Sequence, residues 1–434
     1  MKILRVVILF VLICGGFSIQ IVFAQHTPLR LHDLIVLALK QNADVKIQSG
    51  EKNIAKLQKR QAFSQLLPQA DVEAGYFKNS VHNDVPDFVT ANGIIEKTAW
   101  LSFSQSVFNP GKVADWLNNR LNQKKQESLF NQTRQNVLMQ VIGAYFTALQ
   151  NKDEIKIFKE NLNAFNLLYK QSRLLYENGV VPQLDVKKSR VEYLLQENAL
   201  ARARKNYRDA LDYVKELVGL QIGDSISLAH FSGKSTHLDS LPVYLTTAFT
   251  NRSELKVLGI QARQFRNQKR SVFLQHLPSA SFAAYYGWDT NASLRAGNRG
   301  WQIYAGIQMP LWHWGNLHQE RQIVEIRIQQ TEILRKRLKK QIARQVINSF
   351  KECRIQLQQM RAMHESEKDA GDAVRMAELG YQTGTVTNLD VINTQKLFTE
   401  TRVRYLRSLY SFYVAKAHLY RNIGKLKEDV SWLR

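Results

Sequence analysis

Two stretches of about 66 residues, 112–177 and 316–382, run without a proline and keep a helical period throughout. In the first, Phe130, Thr133, Val137, Val141, Ala144, Tyr145 and Ala148 step by threes and fours. In the second, Leu338, Ile342, Val346, Phe350, Cys353, Leu357 and Met360 do the same. At 1.5 Å per residue each predicts a helix roughly 100 Å long. No compact domain houses a straight helix of that length. Such helices must pack side by side as a coiled-coil-like wall. A glycine-containing turn closes each run, and a second helix returns over 182–218 and 388–423.

The two hairpins belong to a larger internal repeat of roughly 205–210 residues. That period is far longer than a solenoid's and reads as a duplicated, domain-sized unit. Ala38 to Lys46 faces Ala248 to Lys256, and Gln65-Leu66-Leu67-Pro68 faces Gln275-His276-Leu277-Pro278. Phe108-Asn109-Pro110-Gly111 faces Trp312-His313-Trp314-Gly315. The clearest match pairs residues 176–186 with 381–391, where Tyr, Gly, Leu, Asp and Val recur in register. Each copy predicts one helix of about 35 residues (29–66 and 240–276), ended by Leu-Pro because proline disfavours a helical residue before it. Two β-like stretches and the hairpin follow. The expected division is therefore residues 25–225, with a strand pair at 69–108 and a hairpin at 112–218, and residues 226–434, with a strand pair at 279–312 and a hairpin at 316–423.

Residues 1–24 read as a secretory signal. Lys2 and Arg5 precede an almost unbroken apolar run to Ile13, and Val22-Phe23-Ala24 offers a cleavage site. The run is too short for a membrane-spanning anchor. Bulky Ile13 before Cys14 argues against lipidation. The export signal also argues against nucleic acid as the partner, despite a net charge of +23. Without the signal, Cys353 is the single cysteine, so no internal disulfide staples the fold.

Four stretches leave the helical period: about 69–81, 97–108, 279–290 and 301–312. Ala280, Phe282, Ala284, Tyr286 and Trp288 alternate along one, and Ile303, Ala305 and Ile307 along another. Dyad alternation over about ten residues is the signature of an outer-membrane β-strand. Trp100, Trp288, Trp301, Trp312 and Trp314, five of the chain's seven tryptophans, fall in or beside these strands. They are the expected aromatic belt. A small soluble sheet is the alternative. Four strands cannot close a barrel alone, and an open edge cannot sit in lipid. The expected fold class is mainly α with a β-barrel portion: a long antiparallel, coiled-coil-like α-helical barrel plus four transmembrane strands per chain, closed by other copies. Two copies would give eight strands, which side chains would tend to plug, and three would give twelve, which suits a conduit.

The export signal, the duplicated half, the two Leu-Pro helix-to-strand junctions and the two G-x-x-x-x-L-D-V tips together resemble the TolC-like outer-membrane efflux family. The resemblance covers about residues 29–424. It implies a homotrimeric passive exit duct of a tripartite efflux or type I secretion system, set in outer-membrane lipid. Its periplasmic helical tunnel would dock by its tips to a periplasmic adaptor coupled to an inner-membrane pump or transporter. It implies no enzyme activity and no cofactor. It also implies that the second tip is the gate, with Asp390 in the narrowest opening, Asp185 as its counterpart and Asn393 where many relatives carry a further acid. A ring of three carboxylates there would focus cations.

The residues themselves allow plainer roles. Thr387 can cap a helix with Asp390 in its first turn, and Asp185 follows Pro182 at a helix start. Gly179 and Gly384 suit a left-handed helix end. Val180, Val181, Thr385 and Val386 beside them are candidate adaptor contacts. Scattered histidines give no metal set, and no phosphate loop or nucleophile elbow is present. The basic run Arg335-Lys336-Arg337-Leu338-Lys339-Lys340 with Arg344 is either a solvated helix face or part of a tunnel lining that favours anions. The competing reading of the whole chain is a periplasmic adaptor or structural coiled-coil protein without a pore.

Overall fold

The computed structural model describes residues 28–427 except 79, 83–84, 87–94, 222, 232–235, 290–298, 310 and 312–313. The expected signal at 1–24 and Trp312 lie outside the described residues.

The helices are α1 (Leu31–Gln41), α2 (Ala43–Ser64), α3 (Pro110–Glu177), α4 (Gln183–Val218), α5 (Leu241–Asn251), α6 (Ser253–Leu274), α7 (Asn316–Gln382) and α8 (Asn388–Asn422). The strands are β1 (Gln69–Lys78), β2 (Val81–His82), β3 (Val85–Pro86), β4 (Ile95–Phe108), β5 (Ser279–Asp289) and β6 (Arg299–Gln308). The two long helices are continuous. Asn109 starts the first, its side chain accepting from the Lys112 amide at 3.1 Å with Pro110 in the first turn.

The 35-residue helices expected at 29–66 and 240–276 are each broken in two. Asn42 leaves the helical region, and its Oδ1 accepts from the amides of Asp44 and Val45, so it caps α2. Its Nδ2 donates to the Leu217 carbonyl at 3.3 Å, placing the start of α2 against the end of α4. Arg252 does the equivalent work between α5 and α6. Its guanidinium donates to the Asn422 carbonyl at 3.1 Å and to Gln345 Oε1 at 3.0 Å. It thereby seats α6 on the end of α8. The wall is thus four columns: α4 continued by α2, α3, α8 continued by α6, and α7.

The short helices α1 and α5 lie over this wall at the junction level, α1 on α3 and α4, α5 on α7. The main core forms there, from Leu34, Ile35, Ala38, Val141, Ile142, Phe146, Ile342, Val346, Phe412 and Leu419 among others. The connecting segment is stitched in by a parallel bridge between Leu29 and Leu228, and Lys152 Nζ donates to the Leu228 carbonyl at 2.7 Å.

Strands β1, β4, β5 and β6 form one antiparallel sheet in that order. The sheet is open, which corrects the expected barrel portion of the fold. Four strands of about ten residues are too few to curl onto themselves. The chain folds as a mainly helical wall with an open four-stranded sheet at one end. No described helix is long and apolar enough to cross a membrane.

Cys353 is fully buried in the main core. Burial pushes its thiol up to about 11, against the opposing pull of Lys416. The folded thiol therefore ionises later than the unfolded one. Its contribution to stability is intact below the ordinary thiol value of 9.0 and is lost as pH rises toward about 11. Iodoacetamide at about pH 8 should leave Cys353 unmodified in the native protein and label it after denaturation, as read by mass spectrometry. Rapid labelling of the native chain would contradict this burial.

Candidate functional site

The candidate site is the end of the wall farthest from the sheet, where the hairpins α3–α4 and α7–α8 turn. Both helices end with the same hydrogen-bond pattern. After α3, Gly179 N donates to the Tyr176 carbonyl and Val180 N to the Leu175 carbonyl. After α7, Gly384 N donates to Tyr381 and Thr385 N to Gly380. This is the Schellman end, and it demands a left-handed residue. Gly179 (φ 71°) and Gly384 (φ 77°) supply it. The turns then present Gly179, Val180, Gly384 and Thr385 to solvent, with Val181 and Val386 half-buried.

Asp390 sits in a capping box. Its Oδ2 accepts from the Thr387 hydroxyl at 2.5 Å and from the Thr387 amide at 3.2 Å, and Thr387 Oγ1 accepts from the Asp390 amide. Such a cap is worth about 1 kcal/mol. The carboxylate is exposed but is committed to the start of α8. Asn393 is exposed one turn on. Asp185 lies in the first turn of α4 and is half-buried. Among the described residues no hydrogen bond joins Asp185 and Asp390 or links them through a shared partner.

Four buried polar side chains, one from each helix of the two hairpins, tie the tips together. They are Ser172 (α3), Ser189 (α4), Tyr381 (α7) and Asn388 (α8). Asn388 Nδ2 donates to Ser172 Oγ at 2.8 Å, Ser189 Oγ at 3.1 Å and the Tyr381 hydroxyl at 3.2 Å. The two serine hydroxyls share a hydrogen bond at 3.0 Å. Two turns deeper, Asn161 Oδ1 accepts from Gln395 and Thr399, and Asn161 Nδ2 donates to Gln196. Between these layers lie Phe165, Leu168, Ala377, Val391 and Ile392. Ion pairs flank them: Lys396 with Glu192 at 2.6 Å and Arg402 with Glu160 at 2.8 Å. Sequence reading passed over this network, although Asn161, Phe165, Leu168 and Ser172 follow a 4-3-4 seam spacing. Polar residues on a buried seam are the signal that marks it.

At the other end, register places side chains in rows across all four strands. Val72, Leu101, Tyr286 and Trp301 form one, and Ala70, Phe103, Ala284 and Ile303 the next. One face is therefore apolar, with Trp288 and Trp301 on it. Trp100 points to the other face, where it covers Gly287; a Cβ there would come within 2.5 Å of the indole. Trp314, in the turn before α7, is exposed. The aromatic set is thus divided between the faces of the sheet and a turn.

A long helical wall with an apolar-faced sheet at one end and paired turns at the other has relatives. The family model described as "Outer membrane efflux protein" matches residues 34–220 and 245–425. The chain belongs to this family. Outer membrane protein TolC of Salmonella enteritidis is 21% identical over 408 residues, covering 89% of this chain and 80% of that protein. TolC of Vibrio cholerae is 20% identical, covering 84% of each. Among solved structures, CusC superposes with a TM-score of 0.78 at 17% identity, covering 91% of this chain and 92% of that one. The outer-membrane protein VceC of Vibrio cholerae gives 0.76 at 16%, covering 92% and 97%. Membership in the efflux family makes the protein an outer-membrane channel with a periplasmic tunnel, acting in efflux or secretion. It is a conduit and not an enzyme.

Proposed function

We propose that this channel is the passive exit duct of a tripartite efflux or type I secretion system, working as a homotrimer after residues 1–24 are removed as a signal peptide. Residues 25–225 and 226–434 act as its two repeated units. The apolar face of the sheet, with Trp288 and Trp301, meets outer-membrane lipid, and Trp314 extends the aromatic belt, whereas Trp100 lies on the opposite face. The far tips, Gly179-Val180-Val181 and Gly384-Thr385-Val386, dock to a periplasmic adaptor that is coupled to an inner-membrane pump or transporter.

One observation carries the docking end. The two turns have the same backbone, expose small apolar or β-branched side chains, and are held beside each other by the Asn388 network. Val180 is 67% exposed although valine is favoured inside proteins. A pair of rigid knobs of this kind suits the tip of another helical hairpin. Asp390, Asn393 and Asp185 lie immediately behind the knobs and would border the opening, with Asp390 fixed first by its cap.

The test has two arms. Purified protein should run as three chains by mass in detergent and give discrete conductance steps in planar bilayers. Val180→Asp with Thr385→Asp should leave that conductance intact and abolish export by the producing cells. A soluble single chain without conductance would favour the adaptor reading. Full export by the double variant would remove the tips from docking.

A further inference from the structure

Charge is distributed unevenly along the wall. The sheet-side section (α2, α6, residues 110–134 of α3 and 316–344 of α7) carries 23 basic and 8 acidic side chains. The tip-side section (residues 135–177, α4, 345–382 and α8) carries 24 and 18. The tip side is close to balanced, and several of its acids are ion-paired across helices. The excess positive charge therefore belongs to the sheet side.

Arg337 and Arg344 belong to it and Lys351 lies just past its boundary; the three recur every seventh residue of α7 and share one helix face. All three are exposed, and none makes an ion pair among the described residues. Arg344 and Lys351 each lie two positions before a buried core residue, Val346 and Cys353. Two positions are about 200° around a helix. The two cations thus turn away from Val346 and Cys353, while Phe350, on which Tyr244 of α5 packs with ring centroids 5.9 Å apart, lies about 100° from Lys351. A channel stays open only if the layer laid over its wall is on the outside. On the duct reading, the face of α7 turned from Val346 and Cys353 is taken as the inner one.

We infer that Arg337, Arg344 and Lys351 form a cationic ladder along the inside of the duct that selects for anionic cargo. The inference rests on the duct reading above and adds the substrate class to it. Successive rungs are about 10 Å apart along α7. At physiological salt the Debye length is about 8 Å, so an ion midway between two rungs, about 5 Å from each along the axis, is within range of both. An anion leaving one rung is already attracted by the next. A small cation meets one continuous barrier. In a trimer each rung becomes three charges around the lumen, which strengthens the effect.

The experiment is the reversal potential of the full-length protein in planar bilayers under a KCl gradient, at low and high salt. Chloride should permeate in preference to potassium at low salt. The triple variant Arg337→Gln, Arg344→Gln, Lys351→Gln should lower the chloride-to-potassium permeability ratio about threefold or more. Arg337→Lys with Arg344→Lys should keep the wild-type ratio. Selectivity should collapse near 1 M salt, where screening shortens to about 3 Å. Glutamine preserves helix propensity and the positions are exposed, so the triple variant should fold. Pores with an unchanged reversal potential, or a cation-selective wild type, would overturn the ladder and leave the duct standing. No conductance from any form would overturn both.

Discussion

Phe146→Ala should lower the stability of the protein by about 3–5 kcal/mol, the largest loss expected from any single truncation. Phe146 is fully buried on α3 at the level where the columns change. Its ring stacks on Tyr413 at 5.7 Å and 17°, meets Phe231 edge-on at 5.0 Å, and lies 5.8 Å from Tyr410. It therefore joins three parts of the chain: the long helix, the connecting segment and α8. Truncation removes the apolar area and leaves a cavity whose rigid aromatic walls cannot collapse. The tilted and edge-on ring contacts add about 0.5–1.5 kcal/mol per pair beyond burial. Phe146→Leu should cost distinctly less, because it fills most of the volume and loses mainly the ring contacts. The comparison is read by denaturant unfolding of matched detergent samples. A loss under about 1 kcal/mol for the alanine variant would mean that the junction core relaxes freely.

That core also explains what the sequence could and could not disclose. The long helices were legible because a proline-free seam over more than sixty residues has one structural outcome. The turns at Gly179 and Gly384 were legible because a left-handed helix end calls for glycine. The breaks at Asn42 and Arg252 were not. Asn42 continues an apolar helical pattern, and only the nearness of Leu217, 175 residues away, gives its amide a reason to leave the helix. Arg252 likewise depends on Asn422 and Gln345. The strands could be placed from their alternation, and their register fixed a common apolar face. The sheet's open form is a matter of strand number and pairing order, which alternation does not encode. Asp390 was read both as a gate and as a cap. The geometry shows the cap directly, since Asp390 Oδ2 accepts from the Thr387 amide and Thr387 Oγ1 accepts from the Asp390 amide.

Asn388→Leu should loosen the two hairpin tips from each other while leaving the rest of the wall intact. Asn388 is nearly inaccessible, and its NH2, with two hydrogens, is shared among Ser172, Ser189 and Tyr381, all within hydrogen-bond distance. Leucine is similar in size but supplies none. The three hydroxyls can still bond among themselves, since Ser172 lies 3.0 Å from Ser189 and 3.3 Å from Tyr381. The cost is then that of about one unsatisfied buried group, roughly 1–3 kcal/mol. Amide exchange at residues 168–175 and 386–395 should quicken about tenfold or more, because each 1.4 kcal/mol is a factor of ten. Exchange around Phe146 should not change. If tip separation opens the duct, unitary conductance should also rise. The decisive companion is the variant with Asn388→Leu, Ser172→Ala, Ser189→Ala and Tyr381→Phe together. Replacing every partner by an apolar group leaves nothing unsatisfied and can restore stability. That variant should exchange slowly again and conduct less than Asn388→Leu alone. Equal exchange in the wild type and Asn388→Leu would show that the apolar layer of Phe165, Leu168 and Ile392 holds the tips by itself.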